Sequence, residues 1–136
     1  MQNLETKKHN FMQEVQMKPQ IQFISGFEES TVPRRVKLTR SENGETGTAT
    51  FLFFKPTVFS NFLNITFSSI ILIKGMDLLW DKKKITSKDI KIYFKEGKPI
   101  VIRAIFIFQN SKDWFTFFNF MNCYSKETGL SFTEFK

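Results

Sequence analysis

Few residues in this chain could carry out a reaction. His9 is the single histidine and Cys123 the single cysteine. One of each leaves a zinc ion or a haem without a ligand set, and one cysteine forms no intrachain disulfide. His9 stands in a polar N-terminal stretch and reads as solvent-exposed. Cys123 stands in a predicted helix beside Phe120 and Tyr124 and reads as a small buried hydrophobe. The paired acids Glu28 and Glu29, and Glu42 and Glu45, fall in predicted loops without a base, nucleophile or metal partner. They read as solvated charges. The expectation is no catalytic residue, no metal and no cofactor. Recognition is the chemistry that remains. Arg34, Arg35, Lys37 and Arg40 put four cations into seven residues, and clustered cations meet carboxylates or carbonyl-rich loop ends. Thr46, Thr48 and Thr50 follow as small hydroxyl-bearing positions that let another backbone approach. These seven residues are the candidate partner-binding set.

The whole-chain balance agrees with recognition. The formal net charge is +7 over 136 residues, with a pI near 9.6. That favours an acidic partner, a nucleic acid or an anionic membrane surface. The length suits one domain with a core of its own. Phenylalanine is abundant, 18 residues against two Tyr and two Trp. Phe, Lys, Ile and Asn have AT-rich codons, and their abundance points to an AT-rich coding genome. Residues 1–18 contain Glu5 and Glu14 but no Arg or Ser, unlike a signal or transit peptide. The longest apolar zone, Val58 to Ile73, is broken by Ser60, Asn61, Asn64, Thr66, Ser68 and Ser69. It falls short of the roughly 20 apolar residues of a spanning helix. A soluble or membrane-peripheral protein, and a monomer, is expected.

The elements that must position these residues follow from periodicity. Residues 1–18 are polar and unpatterned, and read as a flexible extension with Met17 as a possible second start; residues 19–136 read as a single domain. Ile21 and Phe23 alternate within Gln20–Gly26, the first strand, and Glu28 to Pro33 is a loop. Val36 and Leu38, then Ala49, Phe51 and Phe53, recur with period two around a polar Ser41–Gly47 segment that contains Asn-Gly. That is a hairpin, with a Thr/Arg/Lys face left to present to something else. Thr57 is placed to cap a short helix bearing Phe59, Phe62 and Leu63, Ser68 to Ile73 is β-branched enough for a strand, and Gly75 to Trp80 reads as another. Asp81 to Lys84 reads as a charged turn. Ile90, Ile92 and Phe94, and Ile100, Ile102, Ala104, Phe106 and Phe108, form a second hairpin. For the two sets to share a face, a three-residue loop Lys95–Gly97 pairing Ile92 with Ile100 is expected. Ser111 is placed to cap a final helix whose Trp114, Phe117, Phe118, Met121 and Tyr124 cover the sheet, with Gly129 closing it. The fold class is α+β: an antiparallel sheet of four to five strands with a C-terminal helix on one face.

Five blocks occur in order along this frame: IQFISG at Ile21, VKLTRSENGETGTATF at Val36, GM at Gly75, YFKEGKP at Tyr93, and DWFTFFNFMNCYSKETGLSF at Asp113. Together they resemble the photosystem II assembly family called Psb twenty-eight, over about Gln20 to Phe132. The chain departs from that pattern in its first 18 residues and in Thr57 to Lys74, which is longer and more apolar. The resemblance implies a non-catalytic protein without a cofactor, peripheral to the stromal side of the thylakoid membrane. It implies transient docking on assembly intermediates that contain the larger inner antenna subunit and reaction-centre subunits, with the sheet available to accept segments of the complex. With the codon bias, it implies a plastid-encoded copy.

A basic single-stranded nucleic-acid-binding module is the alternative. It needs exposed aromatics on a sheet face beside Arg and Lys. Tyr93 and Phe54 are the candidates, and no RNP-like signature is present.

Overall fold

The structure is a computed structural model and describes residues 18–60, 70 and 72–135. The chain opens with β1 (Gln20–Ile24), β2 (Phe27–Glu28), β3 (Arg35–Arg40) and β4 (Gly47–Phe54). A single 3-10 turn follows at Thr57–Phe59, then β5 (Met76–Trp80), β6 (Lys83–Ser87), β7 (Asp89–Lys95) and β8 (Lys98–Phe108). The helix α1 (Ser111–Thr128) and the short β9 (Thr133–Phe135) complete it. The fold is α+β with a C-terminal helix. Its strands divide between two sheets, where periodicity suggested one: a four-stranded sheet in the order β2-β1-β5-β6 and a five-stranded one in the order β7-β8-β4-β3-β9. All pairings are antiparallel except β3 with β9.

Alternation gives each sheet one apolar face, and these two faces meet. Ile21, Phe23, Met76, Leu78 and Trp80 come from the smaller sheet. Val36, Leu38, Phe51, Phe53, Ile102 and Phe106 come from the larger. Phe23 sets its ring edge-on to Phe53 at 4.9 Å, across the gap between sheets. The helix closes the core against both: Phe120 meets Trp80 of β5 at 5.4 Å, and Phe117 meets Phe108 of β8 at 4.9 Å. The three-part core is built largely of edge-on and tilted aromatic rings, each pair worth about 0.5–1.5 kcal/mol beyond area burial.

The second hairpin resolves a conflict between turn and pattern. Its loop has two residues, Glu96 and Gly97, both with positive φ (53° and 77°), as a type I′ turn requires. A strict two-residue loop would put the apolar sets on opposite faces. A bulge between Tyr93 and Phe94 corrects this: Phe94 pairs Pro99, but Tyr93 pairs Val101 and Ile92 pairs Ile102. Ile92 therefore does not pair Ile100. The apolar sets do share a face, through one extra residue on β8 rather than in the loop.

Several local expectations are corrected. Asn110, not Ser111, caps α1: its side chain accepts from the Asp113 N–H at 2.9 Å, while the Asp113 carboxylate accepts from the Gln109 N–H at 3.2 Å. Gly129 closes the helix in the left-handed conformation, as expected. Cys123 is exposed, because it lies on the solvent side of α1. The turn after β5 is only Asp81–Lys82, and Lys83 and Lys84 open β6. Thr57 does not cap a helix; Pro56 precedes the 3-10 turn without a side-chain cap bond. Ile73 donates to the Ile70 carbonyl at 3.0 Å, so Ile70, Leu72 and Ile73 are not in a strand. The expectations for Phe62, Leu63, Ser68 and Ser69, and for the extension up to Met17, lie outside the described residues.

Candidate docking surface

The five-stranded sheet has an inner face in the core and an outer face that the described elements leave open. Cross-strand register builds that outer face row by row. Arg35 pairs Leu52, Leu52 pairs Arg103, and Arg103 pairs Lys91. One row therefore runs Arg35–Leu52–Arg103–Lys91 across four strands. The next row toward the strand ends is Phe54–Val101–Tyr93. In the other direction come Lys37–Thr50–Ile105–Asp89 and then Thr39–Thr48–Ile107. Phe54 and Tyr93 are each 36% exposed and Ile107 63%. The Thr39 and Thr48 hydroxyls bond to each other at 2.5 Å.

The candidate cations separate. Arg35 and Lys37 stand on the outer face with the strand's exposed positions. Arg34 precedes β3, and its guanidinium lies 4.3 Å from the centre of the Phe54 ring. Arg40 shares the inner parity of Val36 and Leu38, and its guanidinium lies 4.9 Å from the Trp114 ring centre. Its partner in the ladder is Gly47. A Cβ at Gly47 would strike the Trp114 ring and the Thr39 carbonyl, so the absent side chain gives the indole its place. Arg40 is thus a cation packed beneath the helix, apart from the other three.

The threonines also separate. Thr48 and Thr50 lie on the outer face of β4. Thr46 lies in the loop, where its N–H and carbonyl hold the Ser41 hydroxyl and N–H. The segment Thr46–Thr50 is not an approachable edge, because β4 is paired with β3 on one side and β8 on the other. The edges of the larger sheet are β7 and β9, and those of the smaller are β2 and β6.

Periodicity singled out β3 and passed over half of this surface. Arg103 sits between Ile102 and Ala104, two buried residues, so its own parity is the outer one. Arg103 and Lys91 lie 5.8 and 5.2 Å from the Tyr93 ring centre. Lys55 lies 5.3 Å from that of Phe54. The two aromatics named for nucleic-acid binding are therefore on the open face beside Arg and Lys.

Glu29 is no solvated loop charge. It is buried, and its carboxylate accepts from Thr31 N–H at 2.9 Å, Thr57 N–H at 2.7 Å, Thr57 Oγ1 at 2.5 Å and Val58 N–H at 2.8 Å. Those bonds pin the 3-10 turn to the loop after β2. A cleft of about 260 Å³ beside it is lined by Glu28, Tyr124 and Glu127 among others. Burial, and then the nearby Glu29 and Glu28 carboxylates, hold the Tyr124 hydroxyl protonated far above the usual phenol range. Among the described residues no group of three or more His, Cys, Asp or Glu is placed to hold a metal. No helix among them is long and apolar enough to cross a membrane.

Residues 21–132 match the family model described as Psb28 protein. Relatives called photosystem II reaction center Psb28 protein agree with it. One from Guillardia theta is 41% identical over 114 residues, 84% of this chain and 94% of its own length. One from Prochlorococcus marinus strain MIT 9215 is 40% identical over 116 residues, 85% and 93% of the two chains. One from Pyropia yezoensis is 40% identical over 114 residues, 84% and 95%. A two-sheet fold with an open basic face, matched in sequence along almost its whole described length, belongs to the Psb28 (Psb twenty-eight) family.

Proposed function

We propose that this chain is a non-catalytic photosystem II assembly or repair factor. It associates with the photosystem II reaction centre, as the names of its relatives state for them. In this reading it docks transiently, as a monomer, on the stromal side of assembly intermediates that contain the larger inner antenna subunit. It acts at the thylakoid membrane of a plastid, peripherally. The observation that carries the reading is family membership across residues 21–132. The open face with Arg35, Lys37, Lys91 and Arg103 supports it physically, because it offers charge and shape for binding. The edges of the larger sheet, β7 and β9, unpaired on their outer sides among the described residues, support a second mode of contact, since an edge strand can take up an extended segment through main-chain bonds. The test is capture of a tagged chain from gently solubilised thylakoids, with inner antenna and reaction-centre subunits expected among the captured proteins.

One observation favours a second reading, a single-stranded nucleic-acid binder: Phe54 and Tyr93 are exposed on a sheet face among cations. Against it, their rings are already engaged by Arg34, Lys55, Lys91 and Arg103, whereas base stacking needs a ring face free. Titration with a single-stranded oligonucleotide separates the two readings.

A further inference from the structure

We propose that the end of the open face built on the Phe54–Val101–Tyr93 row is a site for an anionic lipid bilayer surface. The row spans β4, β8 and β7, about 10 Å from aromatic to aromatic at ordinary strand spacing. Each aromatic carries two cations: Arg34 and Lys55 at Phe54, and Lys91 and Arg103 at Tyr93. Arg35 lies in the adjoining row. Among the described residues the acid on this face, Asp89, lies a row beyond that, and Glu96 stands in the turn between β7 and β8, past the aromatic row.

Three observations favour a bilayer over a protein segment. The strands beneath the site are interior strands except β7, so β4 and β8 have no free main-chain groups to offer a peptide. What the site offers is side-chain charge spread in two dimensions, which suits a sheet of headgroups better than one extended chain. Aromatic rings paired with long basic side chains are also how proteins seat at a membrane interface, ring at headgroup depth and charge among the phosphates. Lastly, Lys91 and Arg103 are directly opposed across the β7–β8 pair. Like charges so placed oppose the strand pairing itself. An anionic surface relieves that opposition.

The site needs no photosystem subunit, so its test is independent of the docking reading. The full chain is floated with vesicles of phosphatidylcholine alone and with vesicles containing phosphatidylglycerol. Binding is expected only to the second kind, weakening as salt rises. A basic residue near an anionic surface contributes about fivefold in partitioning, so the exposed pair Arg35→Gln with Lys91→Gln should lose roughly 25-fold. The pair Lys82→Gln with Lys84→Gln, at the turn and edge of the other sheet, changes net charge equally and should lose far less. Phe54→Ala with Tyr93→Ala should weaken what binding survives at high salt. Thermal melts confirm that every variant is folded. The proposal is overturned by absence of wild-type binding to the anionic vesicles, or by equal loss in the two charge pairs. It is also overturned if the aromatic pair abolishes binding to a single-stranded oligonucleotide while leaving vesicle binding intact.

Discussion

Arg35 and Arg40 stand five residues apart on one strand, and that odd spacing puts them on opposite sides of the sheet. Strand parity decides this, and parity was readable: Val36 and Leu38 mark the inner set, so position 40 belongs with them. Charge argues the other way, and nothing in the sequence shows that the ring of Trp114, 74 residues on, receives the Arg40 guanidinium. The consequence is testable. Replacing Arg34, Arg35 and Lys37 with Ala should leave stability nearly unchanged and weaken capture of photosystem II subunits, most evidently at low salt. Adding Arg40→Ala should lower stability by about 1 kcal/mol or more through lost packing, read as a shift in the denaturant midpoint. An unshifted midpoint would contradict the packed role of Arg40. Tyr124 offers a second test. Its raised ionisation means the folded state holds the phenol proton that the unfolded chain releases near pH 10. The stability it lends is fully present below that pH and is lost above it, up to about 1.4 kcal/mol per pH unit. The gap between the wild type and Tyr124→Phe should therefore shift in the variant's favour as pH rises past 10; a constant gap would count against burial of that hydroxyl.

At the scale of elements, both hairpins and α1 were legible because their apolar periods are long. What was not legible had a local reason. The strand β6 reads KKITS, and a lysine-rich edge looks like a turn because edges are kept charged to prevent unwanted pairing. The bulge at Tyr93/Phe94 left no mark in the sequence, since a three-residue loop and a two-residue loop with one bulged residue give the same shared face. The buried Glu29 was hidden because its partners, Thr57 and Val58, are distant in sequence. Gly47 joins the elements: Gly47→Ala should force Trp114 or the Thr39 carbonyl aside and cost about 1–3 kcal/mol, as overpacking does. A melting temperature unchanged by that substitution would show the indole to be loosely held. Edge docking has its own test at β7. The Ile90 N–H turns back to the Lys88 carbonyl at 3.1 Å, and N–H direction alternates along a strand, so that of Ile92 also points away from β8. Ile92→Pro removes that donor, and Ile92→Ala reports the loss of side chain alone. If β7 receives a segment of the complex, the proline variant captures less photosystem II than the alanine variant while both remain folded. Equal capture would exclude pairing at that position.

For the whole molecule, composition pointed toward recognition: a chain of net charge +7 with one histidine and one cysteine offers cations for contact with an anionic partner. The division into two sheets was not legible, because alternation states which residues face a core but not how many sheets share it. The same gap hid the make-up of the open face. Two of its cations, Arg35 and Lys37, were visible as a cluster, whereas Lys91 and Arg103 join them only through long-range register. Docking on an immature photosystem II is the central claim, and one measurement meets it directly. The tagged full chain is recovered from gently solubilised thylakoids and the captured proteins are identified by mass spectrometry. The account predicts inner antenna and reaction-centre subunits of photosystem II, enriched over a tag-only control and diminished in the Arg34, Arg35 and Lys37 triple variant. Recovery of the chain without any photosystem II subunit would contradict it.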